Sequence, residues 1–251
     1  MNALLVDIGN TRIKWASLTD EGLGRTKVQT HADLGPRDFD RIAGSARGAY
    51  RILVSSVASS KVNDALVLAA RRTEAPVPEL VATQRRACGI TVAYVEPWRM
   101  GVDRFLAMIG AHESFSRPVC VVGVGTAMTI DLLGADGRHR GGAIIPAPPL
   151  MVSSLLEATS GIRRRARGGA DGRGPALFGR STRAAVEQGA RFAAAATVDR
   201  AVGEARALLG RTPRVVLTGG GARGLMPLIR ASSIVVPDLV LQGLAVWAKR
   251  G

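Results

Sequence analysis

Aromatic residues are scarce in this 251-residue chain: five Phe, three Trp and two Tyr, 4% of the total. Its basic residues are not interleaved with aromatic ones, so the stacking platform of a single-strand nucleic-acid binder is missing from the pattern. Cysteine is confined to Cys88 and Cys120, without CxxC spacing. That excludes a disulfide scaffold and fits a reducing, cytoplasmic compartment. The histidines, His31, His112 and His139, stand far apart in sequence with no HExxH, so a zinc site is not expected. Neither a G-x-S-x-G elbow nor a G-x-x-x-x-G-K-[ST] loop occurs, which disfavours Ser hydrolases and P-loop ATPases. No apolar run approaches the ~18 residues of a membrane span. The N-terminus meets Asp7 before any basic residue, so a signal peptide is not expected either.

Lysine is rare as well: Lys14, Lys27, Lys61 and Lys249 are the only ones, yet the formal net charge is +14. Arginine therefore supplies nearly all of it. Such a charge suits a polyanionic partner, either nucleic acid or a phosphorylated metabolite. It also suits a solvated Arg-rich surface. The even spread along the chain favours the second reading, and nucleic acid is not the expected partner.

What is abundant is apolar sequence, 47% of the chain, enough for the core of one large domain or two modest ones. Residues 3–8 and 12–18 read as strands joined through Gly9-Asn10, both of which tolerate positive φ. Residues 50–59 form a further buried strand, 60–72 a helix begun by Ser59 or Ser60, and "PELVAT" and "ITVAYV" short strands. Residues 103–115 have helical apolar spacing with Asp103 at the N-cap. Residues 119–134 repeat the opening theme: laid over 4–16, the segment 120–132 sets Gly123-Val124-Gly125-Thr126-Ala127 against Asp7-Ile8-Gly9-Asn10-Thr11. A unit repeated at half the chain length suggests a duplicated α/β fold. A Gly/Arg-rich loop is expected at 163–174, a long Ala-rich helix over 179–210, a strand into a glycine turn over 213–224, and a closing helix over 239–249. The implied domains are 1–115 and 116–251.

The glycine turns allow backbone N–H groups to approach a phosphate closely. Lys14 could add a mobile positive charge, and Asp7 could hold hydrated Mg²⁺. A plain hairpin with a solvated Asp fits the same residues. "GGGARG" (219–224) matches G-x-G-x-x-G but lies too near the C-terminus for a dinucleotide fold, so it reads as a nucleotide-contacting turn or a tight strand–helix corner. Asp103 in "MGVDRF" is the best candidate for a carboxylate base, with an ordinary helix cap as the other reading. Asp131 is the second candidate.

The ordered set "DIGNTRIK" (7–14), "AYVEPWRMGVDR" (93–104), "GTAMTID" (125–131), "GGAIIP" (141–146), "GRST" (179–182) and "LTGGGA" (217–222) resembles type III pantothenate kinase. The resemblance implies two ribonuclease H-like domains of the acetate and sugar kinase/Hsp70/actin superfold. It implies ATP-dependent phosphorylation of pantothenate to 4'-phosphopantothenate, the first step of coenzyme A biosynthesis. ATP and its Mg²⁺ would then be contacted by Asp7, Ile8, Gly9, Asn10, Thr11, Arg12, Ile13 and Lys14, with Thr126 on the phosphates. Pantothenate would be lined by Tyr94, Gly101, Val102, Asp103, Arg104 and Thr182, and Asp103 would take the proton of its hydroxyl. A homodimer, with its helical region in 116–251, and a monovalent cation, K⁺ or NH₄⁺, are implied too. Two positions depart from the family: Gly123, where many members carry a cation-binding Asp, and Ala147 in place of Gly. A DNA-associated transcriptional accessory or a degenerate, non-catalytic relative is the alternative.

Overall fold

The chain opens with Ala3–Ile8, six residues of which all but Asp7 are buried apolar side chains, as a strand covered on both faces must be. In the computed structural model, which describes residues 2–168 and 176–250, this segment is the centre of a six-stranded sheet. The strands are β1 (Ala3–Ile8), β2 (Arg12–Thr19), β3 (Gly22–Leu23), β4 (Lys27–Thr30), β5 (Arg51–Ser56) and β6 (Pro78–Leu80), ordered β3-β2-β1-β5-β6 with β4 also on β2. β1 is antiparallel to β2 and parallel to β5. Leu4, Val6 and Ile8 face one way, onto Phe39 and Ile42 of α1 (Pro36–Gly44) and Leu66 and Ala69 of α2 (Ser60–Arg72). A small hairpin, β7 (Arg86–Ala87) and β8 (Ile90–Thr91), and the helix α3 (Val102–Ser114) follow.

The second sheet repeats the topology. β9 (Val119–Val124), β10 (Ala127–Leu133), β11 (His139–Pro146), β12 (Arg214–Thr218) and β13 (Ser233–Val235) are ordered β11-β10-β9-β12-β13. Again an antiparallel hairpin is extended by parallel strands. Its helices are α4 (Pro148–Ala158), α5 (Ser160–Ala166), α6 (Thr182–Leu209) and α7 (Ala222–Leu225), and α8 (Leu239–Arg250) closes the chain. Cys120, Val122 and Val124 of β9 pack with Ala194, Ala195, Val198 and Val202 of α6.

Two compact units result, but not by a single cut. One gathers the described residues of Met1–Ser116, Ala135–Arg140 and Asp238–Gly251, the other Arg117–Gly134 and Gly141–Pro237. A cut at 115/116 follows chain order; the C-terminal helix instead packs with α3 and β1 of the first unit.

Several local expectations change. The β1–β2 turn closes with a Gly9 N–H bond to the Arg12 carbonyl at 3.0 Å, and neither Gly9 nor Asn10 has positive φ. The primed two-residue turn lies instead at Cys88 (φ 47°) and Gly89 (φ 83°), between β7 and β8. "ITVAYV" is strand only at Ile90–Thr91, because the Arg85 guanidinium takes the Tyr94 and Val95 carbonyls at 3.2 and 2.6 Å in place of a ladder partner. Of the expected 163–174 loop, 163–166 is the end of α5, and 169–175 lies outside the described residues.

Candidate active site

Strand register assembles the first part of the site. Asp7 pairs with Lys14 across the hairpin and with Ser55 across the parallel ladder, so the three share one face of the sheet. This is the face opposite Leu4 and Val6, where α3 and α8 pack. The Lys14 ammonium reaches Asp238, just before α8, at 3.3 Å. Asp7 is only partly exposed, and burial together with the neighbouring Asp103 charge raises its pKa from 3.8 to about 7; Lys14 and the Ser55 hydroxyl pull the other way, and Asp238 raises it further.

Since the folded value lies above the unfolded one, the native state holds a proton between about pH 4 and 7 that the unfolded chain has released. Stability falls as pH rises through that window. Asp7→Asn is therefore expected to raise the melting temperature by about 3 °C at pH 8 without Mg²⁺, and to change it little at pH 5. Thermal melts at the two pH values check this; no gain at pH 8 would mean that the Asp7 charge carries no strain.

Asp103 does not cap α3. The cap is Gly101, and Asp103 sits one residue inside the helix, its carboxylate accepting the Arg104 N–H at 2.8 Å. A carboxylate is favoured in that first turn by the helix dipole. A Cβ on Gly101 would lie 2.6 Å from Asp103 Oδ1, so a side chain there would displace that carboxylate from its present position. Arg104, 6% exposed, bonds the Tyr94 hydroxyl at 2.9 Å and lies over its ring, 5.6 Å from the centroid. Tyr94 in turn stacks on buried His139. Tyr94, Asp103 and Arg104 thus form one connected wall in the same unit as Asp7 and Lys14. Asn10, Thr11 and Arg12 are exposed at the tip of the hairpin.

Thr126 and Thr182 belong to the second unit. Thr126 is exposed in the β9–β10 turn, which Gly125 N–H closes onto the Ala127 carbonyl at 3.0 Å. Here the overlay slips: Gly123 pairs with Thr129 where Asp7 pairs with Lys14, so this turn is one residue tighter and Thr129 takes the place of Lys14. The 219–221 glycines form a tight strand–helix corner against the same turn. Gly219 (φ 92°) would put a Cβ 2.5 Å from the Val124 carbonyl oxygen, and Gly221 N–H donates to that oxygen at 3.1 Å. Ala147 has φ −72°, so its position never needed glycine. Thr182 opens α6 behind the cap Ser181, whose hydroxyl accepts the Ala184 N–H at 3.0 Å. Asp131 is not at the turn: it is 1% exposed inside β10, opposite Val121 and close enough to help burial push Cys120 to about 12.

Two residues escaped sequence reading, Ser55 and Asp238. Ser55 had a signal, a small polar residue ending an apolar strand; Asp238 had none. Among the described residues no three His, Cys, Asp or Glu side chains could hold a metal between them. Yet burial first, and then the charges of Asp103 and Asp238, keep Asp7 from ionising freely, against the pull of the single ammonium of Lys14. That donor set suits Mg²⁺, which accepts one or two carboxylates and keeps waters and phosphate oxygens as its other ligands.

Comparison with known proteins supplies the context. The family model described as "Type III pantothenate kinase" matches residues 3–204. A protein named type III pantothenate kinase from Stenotrophomonas maltophilia (strain K279a) is 37% identical over 252 residues, covering 99% of this chain and 98% of the relative. Among solved structures, a Campylobacter jejuni protein described as a candidate Baf family transcriptional activator aligns over 98% of both chains with TM-score 0.55 and 18% identity. A ROK family glucokinase from Streptomyces griseus, solved with glucose and AMPPNP, aligns over 99% of both with TM-score 0.50 and 14% identity. At those identities the likeness is one of fold, that of the acetate and sugar kinase/Hsp70/actin superfold.

Proposed function

Because the chain belongs to the type III pantothenate kinase family, we propose that it transfers the γ-phosphoryl group of ATP to the pantothenate hydroxyl, giving 4'-phosphopantothenate and ADP, the first step of coenzyme A biosynthesis. The observation that carries this is the Asp7–Lys14–Asp103 constellation, held by sheet register and the first turn of α3 within a chain that aligns end to end with such a kinase.

Asp103 accepts the hydroxyl proton as that oxygen attacks the γ-phosphorus and the bond to the β-phosphate oxygen breaks. The transfer needs alignment and charge neutralisation more than covalent chemistry, and the proton moves late. Lys14 follows the phosphates from its seat beside Asp7, and the hairpin 7–14 supports the nucleotide. Tyr94, Gly101, Val102 and Arg104 line pantothenate; Thr126 and Thr182 are assigned to the nucleotide phosphates and to pantothenate respectively. Asp7 would hold Mg²⁺ through water; when bound, the ion neutralises phosphate charge.

A monovalent cation does not fit position 123 in the same way. Gly123 has no side-chain oxygen, and the Thr129 hydroxyl lies 2.7 Å from where its Cβ would be. The K⁺ or NH₄⁺ requirement is therefore relaxed in this reading. ADP release from ATP, with and without pantothenate, in Na⁺ and then in K⁺ or NH₄⁺, tests both points. Pantothenate-dependent turnover is expected, rising less than about tenfold with the cation. Folded protein without turnover in any salt would sink the kinase reading; an absolute need for K⁺ would restore the cation site.

A homodimer is part of the proposal. α4, "PPLMVSSLLEA", has no buried residue, and Leu150, Leu155 and nearby Ile144 are exposed. A second copy would cover them. The cytoplasm is the proposed compartment, in keeping with two unpaired cysteines.

A further inference from the structure

The second unit contains a cleft that this chemistry does not use. Its volume is about 580 Å³, within the ~300–1,000 Å³ usual for small-molecule sites. One wall is a single face of α6, Asp199, Val202, Gly203 and Arg206, at the i, i+3, i+4, i+7 spacing. The floor is the entry to β12 at Arg214, with Arg117 just before the adjacent β9; the other wall runs from Arg230 to Ser232.

Four arginines thus converge with one acid, and that acid is already engaged. Asp199 accepts the backbone N–H of Arg230 at 3.0 and 3.2 Å and of Ala231 at 3.1 Å, so it clamps the loop and sets one negative charge against the four guanidinium groups. Elsewhere arginines are matched to acids, as Arg51 is to Glu79 and Arg72 to Asp40. Among the described residues, no carboxylate pairs with Arg117, Arg206, Arg214 or Arg230, and Arg214 Nε is buried without a hydrogen-bond partner. A buried donor left unmade costs stability until something accepts from it.

We propose that this cleft is a binding site for a small oligophosphate anion, either inorganic or the phosphate chain of a nucleotide. Guanidinium forks match phosphate oxygens in pairs, and several unpaired forks in one concavity select for multiple charge. No aromatic side chain lines the cleft, so phosphate charge, not a stacked base, is what it recognises. The site is separate from the phosphate turn of its own unit. It lies at the N-terminal ends of β9 and β12, whereas Gly125 and Gly219 follow their C-terminal ends; at about 3.3 Å per residue, roughly 17 Å of β9 lies between.

The test is site-resolved. Arginine modification by phenylglyoxal is followed by mass spectrometry on the full chain, with inorganic tripolyphosphate in one arm and ADP in the other. Protection of Arg206, Arg214 and Arg230 by at least fivefold is expected; the more potent arm identifies an inorganic or a nucleotide occupant. Gly203→Glu sets a carboxylate in the cleft at a helical position where a Cβ meets nothing within 4 Å. It should abolish protection while ADP production with pantothenate stays within twofold. Arg206→Ala/Arg230→Ala should weaken tripolyphosphate binding, measured by calorimetry, at least tenfold. Protection that persists in Gly203→Glu, absence of protection in both arms, or protection by duplex DNA alone would overturn the proposal.

Discussion

Asp103→Asn is expected to cut pantothenate-dependent turnover about 100-fold or more, with the melting temperature within about 2 °C of the unaltered protein. The substitution is nearly isosteric. The amide oxygen can still accept the Arg104 N–H that the carboxylate now accepts at 2.8 Å, and the Arg104–Tyr94 bond does not depend on the charge at 103. What disappears is the ability to take a proton. A second effect has the opposite sign: the Asp103 charge is the leading electrostatic cause, after burial, of the raised Asp7 pKa. Removing it should let Asp7 ionise more readily. The variant should thus bind Mg²⁺–ATP at least as well while failing in the chemical step, a loss in kcat with KM for ATP little changed. Near-normal kcat would remove Asp103 from the base role, and a collapsed melting temperature would make it a structural residue of α3.

The parts of this site that could be read from sequence are those built by local pattern. Asp7 and Lys14 are seven residues apart on a hairpin, and the apolar runs around them already define the two strands. Asp103 stands out because a glycine precedes a helical period. The duplication was visible because both halves break an apolar strand with small residues, although the one-residue slip at Thr129 depends on a turn bond between Gly125 and Ala127 that no spacing rule supplies. Asp238 was invisible for a different reason. Its partner Lys14 lies 224 residues away, and only the return of α8 to the first unit brings them together. The two-unit reading likewise missed that return, since chain order says nothing about which sheet a final amphipathic helix will cover.

That return rests on a close contact between helices, and Gly243→Val should break it. The place of a Cβ on Gly243 of α8 is 1.9 Å from the Leu106 carbonyl oxygen of α3, and that on Gly110 of α3 is 2.6 Å from the Leu239 carbonyl oxygen of α8. Each helix therefore presents a glycine to the backbone of the other. No rotamer change can make room, because the obstructing atoms are main chain. A valine must push the helices apart, and overpacking of this kind costs about 3 kcal/mol. At roughly 2–4 °C per kcal/mol for a chain of this size, the melting temperature should fall by about 10 °C. The damage should also reach the chemistry, because α3 carries Asp103 in its first turn and Asp238 leads into α8. Turnover of the protein that remains folded at 20 °C should drop with it. Gly203→Ala on α6, where a Cβ meets open space, is the control: it should stabilise by up to about 1 kcal/mol, the helix preference of Ala over Gly. If both variants melt like the unaltered protein, the α3–α8 contact is looser than its glycines demand, and the Lys14–Asp238 pair cannot owe its geometry to it.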